Sequence, residues 1–192
     1  MKIVLSAAAL LLIISCQTVH ENKQDAETET KIENTVPDGY DPEAKLSELG
    51  IELSTPSAPV ANYVNAVRTG NLIFLAGKGP LKPDGENITG KLGGNLTIEE
   101  GYEAARITGI NQLSVLKAEL GNLNKVKRIV KVLGMVNSTP DFTDQPKVVN
   151  GYSDLMVAVF GENGKHARAA VGMGALPSDI AIEVEMIVEV YD

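Results

Sequence analysis

One arginine near the end of the chain lies in a run of small apolar residues. Arg168 stands within residues 167–173, and a second strand-like segment follows that carries Glu183 and Glu185 on alternate positions. A guanidinium in such a run must meet an anion or face water, and its planar fork suits a carboxylate. The pattern is typical of a site where Arg168 binds a small carboxylate and a nearby acid positions or activates water. The alternative is a solvent-facing arginine paired with a surface glutamate, and the spacing alone leaves both open.

The scarcity of metal ligands and nucleophiles excludes several kinds of site. After residue 50 the sequence has one histidine, His166, and no cysteine, so no zinc site or other site of nitrogen and sulfur ligands can be built. There is no Gly-x-Ser-x-Gly motif, and the glycine-rich segment 77–94 lacks the Gly-Lys-Ser/Thr of a phosphate-binding loop. A site made of carboxylates alone remains open, but the acidic residues show no Asp-x-Asp pattern, so we expect no metal. His166 is interpreted as a surface residue ahead of a strand.

The first residues have the composition of an export signal. Lys2 precedes an apolar stretch over residues 3–14, and small residues lead into Cys16, the one cysteine of the chain. Residues 13–16, Ile-Ile-Ser-Cys, resemble a bacterial lipobox, so we expect residues 1–15 to be a signal peptide and Cys16 to be lipidated. The alternatives are an ordinary signal peptide or a short membrane helix, although a comfortable span needs about 20 residues. The prediction is an exported lipoprotein, held in a membrane by its lipid alone, on the periplasmic or outer-membrane side.

Charge divides the remaining chain into a tether and one domain. Residues 16–50 contain nine acidic and three basic side chains and few large apolar ones, which predicts a flexible acidic tether that ends in a short helix over 41–49. Residues 51–192 contain 13 basic and 16 acidic side chains, and their number suits one domain with its own core. Neither part has the basic surface of a nucleic-acid binder, so no nucleic-acid partner is expected.

The domain is predicted to have the element order β-β-loop-α-β-α-β-β. The elements are a hairpin over 62–76, a helix from the Thr97 cap to Gly121, a strand over 126–136, a helix over 144–160, and strands over 167–173 and 181–190. This order favours an α+β layer, in which a mixed or antiparallel sheet is covered on one face by two helices. The uncovered sheet face would then be buried by association of subunits.

Several short motifs resemble those of the RidA/YjgF family of reactive enamine/imine deaminases. They are residues 62–67, 75–80, 149–151, 167–171, 176–179 and 182–185. The resemblance covers nearly all of residues 52–192 and is greatest to the longer branch of the family, which is labelled endoribonuclease or chorismate-mutase-like. It implies a chorismate-mutase-like α+β layer that forms a homotrimer, with a central β-barrel and clefts between subunits.

The resemblance also implies a site and a reaction. Arg168 occupies the place of the arginine that binds the substrate carboxylate, and Glu183 occupies the place of the glutamate that holds the attacking water. The reaction implied is cofactor-independent hydrolysis of reactive 2-enamine and 2-imino acids to 2-keto acids and ammonia. The remaining substrate-binding positions of the cleft fall on Tyr63, Gly77 and Asn150.

Two departures from the family pattern keep an alternative open. Ala170 stands where the deaminases commonly have cysteine, and the segment between Asn150 and Arg168 is one residue longer than in short members. Export also differs from the family's usual setting, in which substrates leak from cytosolic pyridoxal-phosphate enzymes. The alternative is a non-catalytic module that binds small carboxylates or carbonyl compounds in the same cleft. A third function, endoribonuclease, is disfavoured by the acidic balance and by the absence of a histidine pair.

Overall fold

The structure is a computed structural model that describes residues 35–191. The predicted signal peptide and the lipidation site at Cys16 therefore lie outside the described residues. Within the described part of the chain, no helix has the length and apolar character needed to cross a membrane.

A five-stranded mixed sheet forms the centre of the domain. Its strands are β1 (Ala66–Thr69), β2 (Leu72–Lys78), β3 (Val126–Asn137), β4 (Ala167–Met173) and β5 (Ile182–Val190). Their spatial order is β1-β2-β5-β3-β4. All neighbours are antiparallel except β3 and β4, which are parallel because a helix connects them. The predicted hairpin and the three later strands are confirmed.

Three α-helices accompany the sheet in the described residues: α1 (Pro42–Glu48), α2 (Ile98–Leu120) and α3 (Gln145–Phe160). The hydroxyl of Thr97 accepts the N–H of Glu100, and the Glu100 carboxylate accepts the N–H of Thr97, so the predicted capping box begins α2. Gly121 ends the helix in the left-handed conformation, with φ of 75°. Both long helices have the predicted bounds to within about one residue.

The core lies between the sheet and the helices α2 and α3. Alternate residues of β5 are buried on this helix-covered face, and the residues between them point to the opposite, open face. Aliphatic side chains dominate the core, with Tyr152 as its largest fully buried side chain. The buried residues of β5 are Ile182, Val184, Met186, Val188 and Val190. This α+β layer is the predicted fold.

Helix α1 packs against the domain, although the sequence placed it at the end of the tether. Its Leu46 is buried in the core, and Glu43 forms an ion pair with Lys117 of α2. Just before the helix, the Tyr40 hydroxyl donates to the carbonyl of Val126 at 2.6 Å. The packed part of the chain therefore begins before residue 51, because Leu46, the ion pair of Glu43 and the hydrogen bond of Tyr40 hold it against α3, α2 and β3.

The open face of the sheet carries no helix within the described residues. It exposes large apolar side chains on three strands: Val67 is 56% exposed, Phe74 42% and Val171 39%. Val67 pairs directly with Phe74, so these two form a continuous apolar patch. Exposed apolar residues on an open sheet face are typical of a surface that another chain covers.

Candidate functional site

The predicted site residues fall into two clusters on opposite faces of the sheet. Arg168 stands opposite Val132, whose side chain is buried on the helix-covered face. Glu183 lies between buried residues of β5 and therefore points to the open face. The arginine cluster consists of Asn150, Ser153, His166 and Arg168, and the glutamate cluster consists of Tyr63, Gly77 and Glu183, which line one cavity together with Lys78.

Two side chains of α3 hold the guanidinium of Arg168. Its Nη1 donates to Asn150 Oδ1 and to Ser153 Oγ, each at 2.9 Å, and Nη2 donates more weakly to the carbonyl of Pro146 at 3.5 Å. Asn150 reaches the arginine in spite of the longer segment between them. No described carboxylate pairs with Arg168. The cation is therefore oriented by neutral groups and keeps its charge for an anion from outside.

The parallel arrangement of β3, α3 and β4 explains why these residues meet. Asn150 and Ser153 are three positions apart on α3, so they lie on the same side of the helix. That side faces β4, the strand to which the helix connects, and Arg168 extends from the second residue of this strand. The spacing of Asn150 and Ser153 was visible in the sequence, but only the fold shows that it points at Arg168.

His166 is part of the arginine cluster and not a free surface residue. Its Nδ1 lies 2.7 Å from the carbonyl of Gly164, and because a carbonyl only accepts, Nδ1 carries the proton. Its Nε2 is then free to accept from the Ser153 hydroxyl at 3.1 Å. Burial, and secondarily the charge of Arg168, lower the pKa of His166. A neutral His166 thus orients Ser153, and Ser153 in turn accepts from Arg168.

The glutamate cluster depends on the absence of a side chain at Gly77. A Cβ at this position would lie 1.9 Å from Oε1 of Glu183, so the carboxylate occupies the space that any other residue would fill. Burial, with a smaller contribution from the charge of Glu185, raises the pKa of Glu183. A carboxyl group with a raised pKa is better suited to take up and return a proton near neutral pH.

A β-bulge places Gly77 beside Glu183. The register of β2 against β5 shifts between Leu75 and Lys78. Gln112 of α2 is fully buried and donates its amide to the carbonyls of Ala76 and Val184, at 3.1 and 2.7 Å, one on each strand at the bulge. Gln112 thus holds the bulge from the helix-covered face. Sequence reasoning missed it because a polar residue inside a helix pattern gives no sign of its partners.

The glutamate cluster lines a cavity of about 370 Å³. Its other walls come from residues 54–57, from α2 through Asn111 and Ser114, and from the loop before β5. Two residues of that loop, Ser178 and Asp179, have φ values of 55° and 54°, a left-handed conformation that non-glycine residues rarely adopt. Such strain clusters at ligand-binding positions, and here it lies beside the cavity.

The structure therefore brings Tyr63, Gly77 and Glu183 together, and brings Asn150 and Arg168 together, but it does not bring the two groups together within one chain. Strand β3 separates the strands that carry Arg168 and Glu183. Among residues 35–191, no three potential metal ligands of the His, Cys, Asp or Glu type are grouped.

A mixed sheet covered on one face by two long helices defines a chorismate-mutase-like α+β protein. The chain belongs to the family described as "YjgF/chorismate mutase-like, putative endoribonuclease", whose profile matches residues 43–190. This match includes all but the first residue of helix α1 and all five strands.

Individual relatives agree with this assignment. The protein TCP17 of Trypanosoma cruzi is 46% identical over 147 residues, which cover 76% of this chain and 92% of that protein. A RutC family protein of Pyrococcus abyssi is 32% identical over 130 residues, which cover 67% of this chain and 87% of the relative.

Solved structures show the same fold. A protein of unknown function from Agrobacterium tumefaciens superposes with a TM-score of 0.73 at 39% identity, covering 78% of this chain and 92% of that one. The YjgF gene product of E. coli superposes with a TM-score of 0.52 at 26% identity, covering 70% and 93%. The fold and the family expected from the motifs are confirmed, whereas the roles of the individual site residues stay predictions.

Proposed function

We propose that the protein hydrolyses reactive 2-enamine and 2-imino acids to 2-keto acids and ammonia, without a cofactor, in a cleft between subunits of a homotrimer. The observation that carries this proposal is the separation of an unpaired, oriented arginine from a carboxyl group with a raised pKa, on opposite faces of one sheet. Each cluster is half of a hydrolytic site for a small carboxylate, and a second copy of the chain supplies the other half.

Arg168 would bind the carboxylate of the substrate. Asn150 and Ser153 take both N–H groups of Nη1 and so orient the guanidinium before any ligand arrives, which leaves Nε and Nη2 as the edge that can face a carboxylate. An arginine held in this way loses less freedom on binding than a mobile one, and two parallel N–H donors match the geometry of a carboxylate. Arg168 and the side chains that orient it are therefore sufficient to bind the carboxylate.

Glu183 would handle the protons of the reaction. A 2-enamine first tautomerises to the imine, whose carbon is electrophilic. A water held by the Glu183 carboxylate attacks this carbon: a C–O bond forms, the C=N electron pair moves to nitrogen, and a proton passes from water through the carboxylate to nitrogen. The resulting carbinolamine loses ammonia as its hydroxyl gives up a proton, which leaves the 2-keto acid.

Association of subunits follows from the same geometry. The open face carries Glu183 amid exposed apolar residues, including Val67, Phe74 and Val171, and burial of that face would stabilise an oligomer. Closure into a trimer is the assembly that the family resemblance implies. In such an assembly Arg168 of the partner subunit would face the cavity beside Glu183.

The test uses the full-length chain and 2-iminopropanoate generated freshly from alanine by an amino-acid oxidase. The rate of imine loss is measured by competition with trapping by semicarbazide. Wild-type protein should accelerate this loss, and the acceleration by Arg168→Ala protein should be at least tenfold smaller. Light scattering of the same preparation should give three chain masses.

Two results would count against the proposal. A stable monomer at micromolar concentration would remove the composite site. Binding of 2-ketobutyrate that depends on Arg168, without acceleration of imine loss, would identify the protein as the non-catalytic carboxylate binder instead.

A further inference from the structure

A second cation, Lys78, lines the same cavity as Glu183 and has no assigned role. It is the last residue of β2, directly after the bulge at Gly77, and its side chain is half-buried. None of the described carboxylates lies within ion-pair distance of its ammonium group. Most lysines of such partial burial are either paired or extend to water, so this one needs an explanation.

The ammonium group is positioned by one neutral partner. Its Nζ donates to Asn65 Oδ1 at 2.7 Å. Asn65 is itself fixed, because its amide donates to the carbonyl of Ser57 at 3.0 Å and its backbone carbonyl accepts the N–H of Ala76 at 3.0 Å. A lysine has three N–H donors, so two remain for a ligand in the cavity. The arrangement repeats that of Arg168, which is also oriented by neutral side chains.

The electrostatic environment of Lys78 favours an anion. Burial lowers its pKa, and no nearby negative charge opposes this effect. A cation taken partly out of water without a counter-charge is costly, and a bound carboxylate or other anion would offset that cost. The remaining polar residues around the cavity are neutral hydroxyl and amide groups, apart from Glu183 on its other side.

The cavity is also larger than the smallest substrates require. A water molecule occupies about 30 Å³ in the liquid, so a cavity of about 370 Å³ corresponds to roughly a dozen waters. A three-carbon imino acid has only six non-hydrogen atoms. Space therefore remains for a longer side chain.

We propose that Lys78 binds a second anionic group, so that the preferred substrates are 2-imino acids whose side chain ends in a carboxylate. This inference rests on the proposed function, because it assigns the first carboxylate to Arg168 of the partner subunit and the imine carbon to Glu183. Two cations would then match the two carboxylates of a dicarboxylic imine.

The experiment compares two imines of equal chain length with the full-length protein. 2-Iminoglutarate, from glutamate and a glutamate oxidase, carries the second carboxylate, and 2-iminopentanoate, from norvaline and an amino-acid oxidase, lacks it. Wild-type protein should have a kcat/KM at least tenfold higher for the dicarboxylic imine. Lys78→Gln should raise the KM for this imine about tenfold or more and change that for 2-iminopentanoate less than about twofold. Lys82→Gln is the matched control, since Lys82 is exposed and pairs with Asp84, and it should change neither value.

A binding measurement separates this inference from the proposed function. If wild-type protein hydrolyses neither imine, the proposed function fails. The anion site would still predict that 2-oxoglutarate binds at least tenfold more tightly than 2-oxopentanoate in calorimetry. Lys78→Gln should remove this difference in affinity. Equal affinity of wild-type protein for the two 2-oxo acids would overturn the anion site. A Lys78→Gln protein that still binds 2-oxoglutarate more tightly than 2-oxopentanoate would also overturn it. Dissociation of the Lys78→Gln protein into monomers would overturn it as well, because Lys78 would then pair with a carboxylate of another subunit.

Discussion

Replacement of Gly77 by alanine tests whether the position of the Glu183 carboxylate matters for turnover. The added Cβ would lie 1.9 Å from Oε1, 2.8 Å from Cδ and 3.0 Å from Cγ of Glu183. Ordinary contacts of a Cβ begin at about 3.4 Å. The carboxylate must therefore move by about 1.5 Å, the difference between the two distances, while the backbone can stay in place because φ of Gly77 is not positive.

A displacement of this size predicts a large loss of rate and a small loss of stability. Misplacement of a catalytic group by about 1 Å can cost about a hundredfold in rate, and a hundredfold corresponds to about 2.7 kcal/mol of transition-state stabilisation. The atoms that move belong to the end of a flexible side chain, so the free energy of unfolding should change by less than about 1 kcal/mol. We expect kcat/KM for an imine substrate to fall about a hundredfold in Gly77→Ala.

The assay is imine hydrolysis at one pH, with thermal unfolding of the same samples. Gly174→Ala serves as the control, because no atom lies within 4 Å of a Cβ built there and its φ is also not positive. Gly77→Ala should have no further effect in a protein that already carries Glu183→Gln, since both changes act through one carboxylate. Full activity of Gly77→Ala, or additive losses in the double variant, would refute the reasoning.

Three further predictions concern the two clusters. Arg168→Lys should weaken binding of a 2-keto acid about ten- to a hundredfold by calorimetry, because one ammonium cannot replace two parallel donors; unchanged affinity would mean that the arginine is not the anchor. Ser153→Ala should raise the KM for an imine roughly two- to tenfold through lost orientation of Arg168, and an unchanged KM in steady-state kinetics would exclude this role. At pH values above neutral, Glu183→Gln should raise the unfolding temperature, because the raised pKa of Glu183 means that its ionised form costs stability as pH rises through that pKa. The gain in unfolding temperature should vanish at pH values below the ordinary pKa range of glutamate. A gain that persists in acid would contradict burial as the cause of the raised pKa.

Local patterns in the sequence were sufficient to predict most elements of the fold. The capping box at Thr97, the glycine after α2 and the alternation along β5 are each determined by neighbours a few residues away. The parallel pairing of β3 with β4 could not be read in the same way, because it depends on where α3 returns the chain. The packing of α1 was missed for a similar reason: Glu43 has its partner Lys117 far along the chain.

The site was predicted only in part. Arg168 and Glu183 stood out because charged residues in strand-like apolar runs need partners, and the family resemblance supplied Tyr63, Gly77 and Asn150. Their distribution over the two faces of the sheet could not be predicted, since a single bulge in β2 decides the register around Gly77. Lys78 and Gln112 gave no local signal, because their importance lies in contacts with distant segments.

The place of β5 in the sheet has a consequence for how the chain acquires its structure during synthesis. β5 is the last strand of the sequence, yet it lies between β2 and β3 and pairs with both. A nascent chain that has emerged only to residue 181 therefore lacks the strand that joins two pieces of the sheet, the β1-β2 hairpin and the β3-β4 pair, although helix α2 still packs against α3. The five apolar side chains of β5 are missing from its core.

Neither piece is expected to be stable alone, because a two-stranded hairpin is marginal in water and the larger unit would expose its apolar face. Folding of the domain should therefore follow synthesis of β5, whose nine residues complete the sheet by pairing with both β2 and β3.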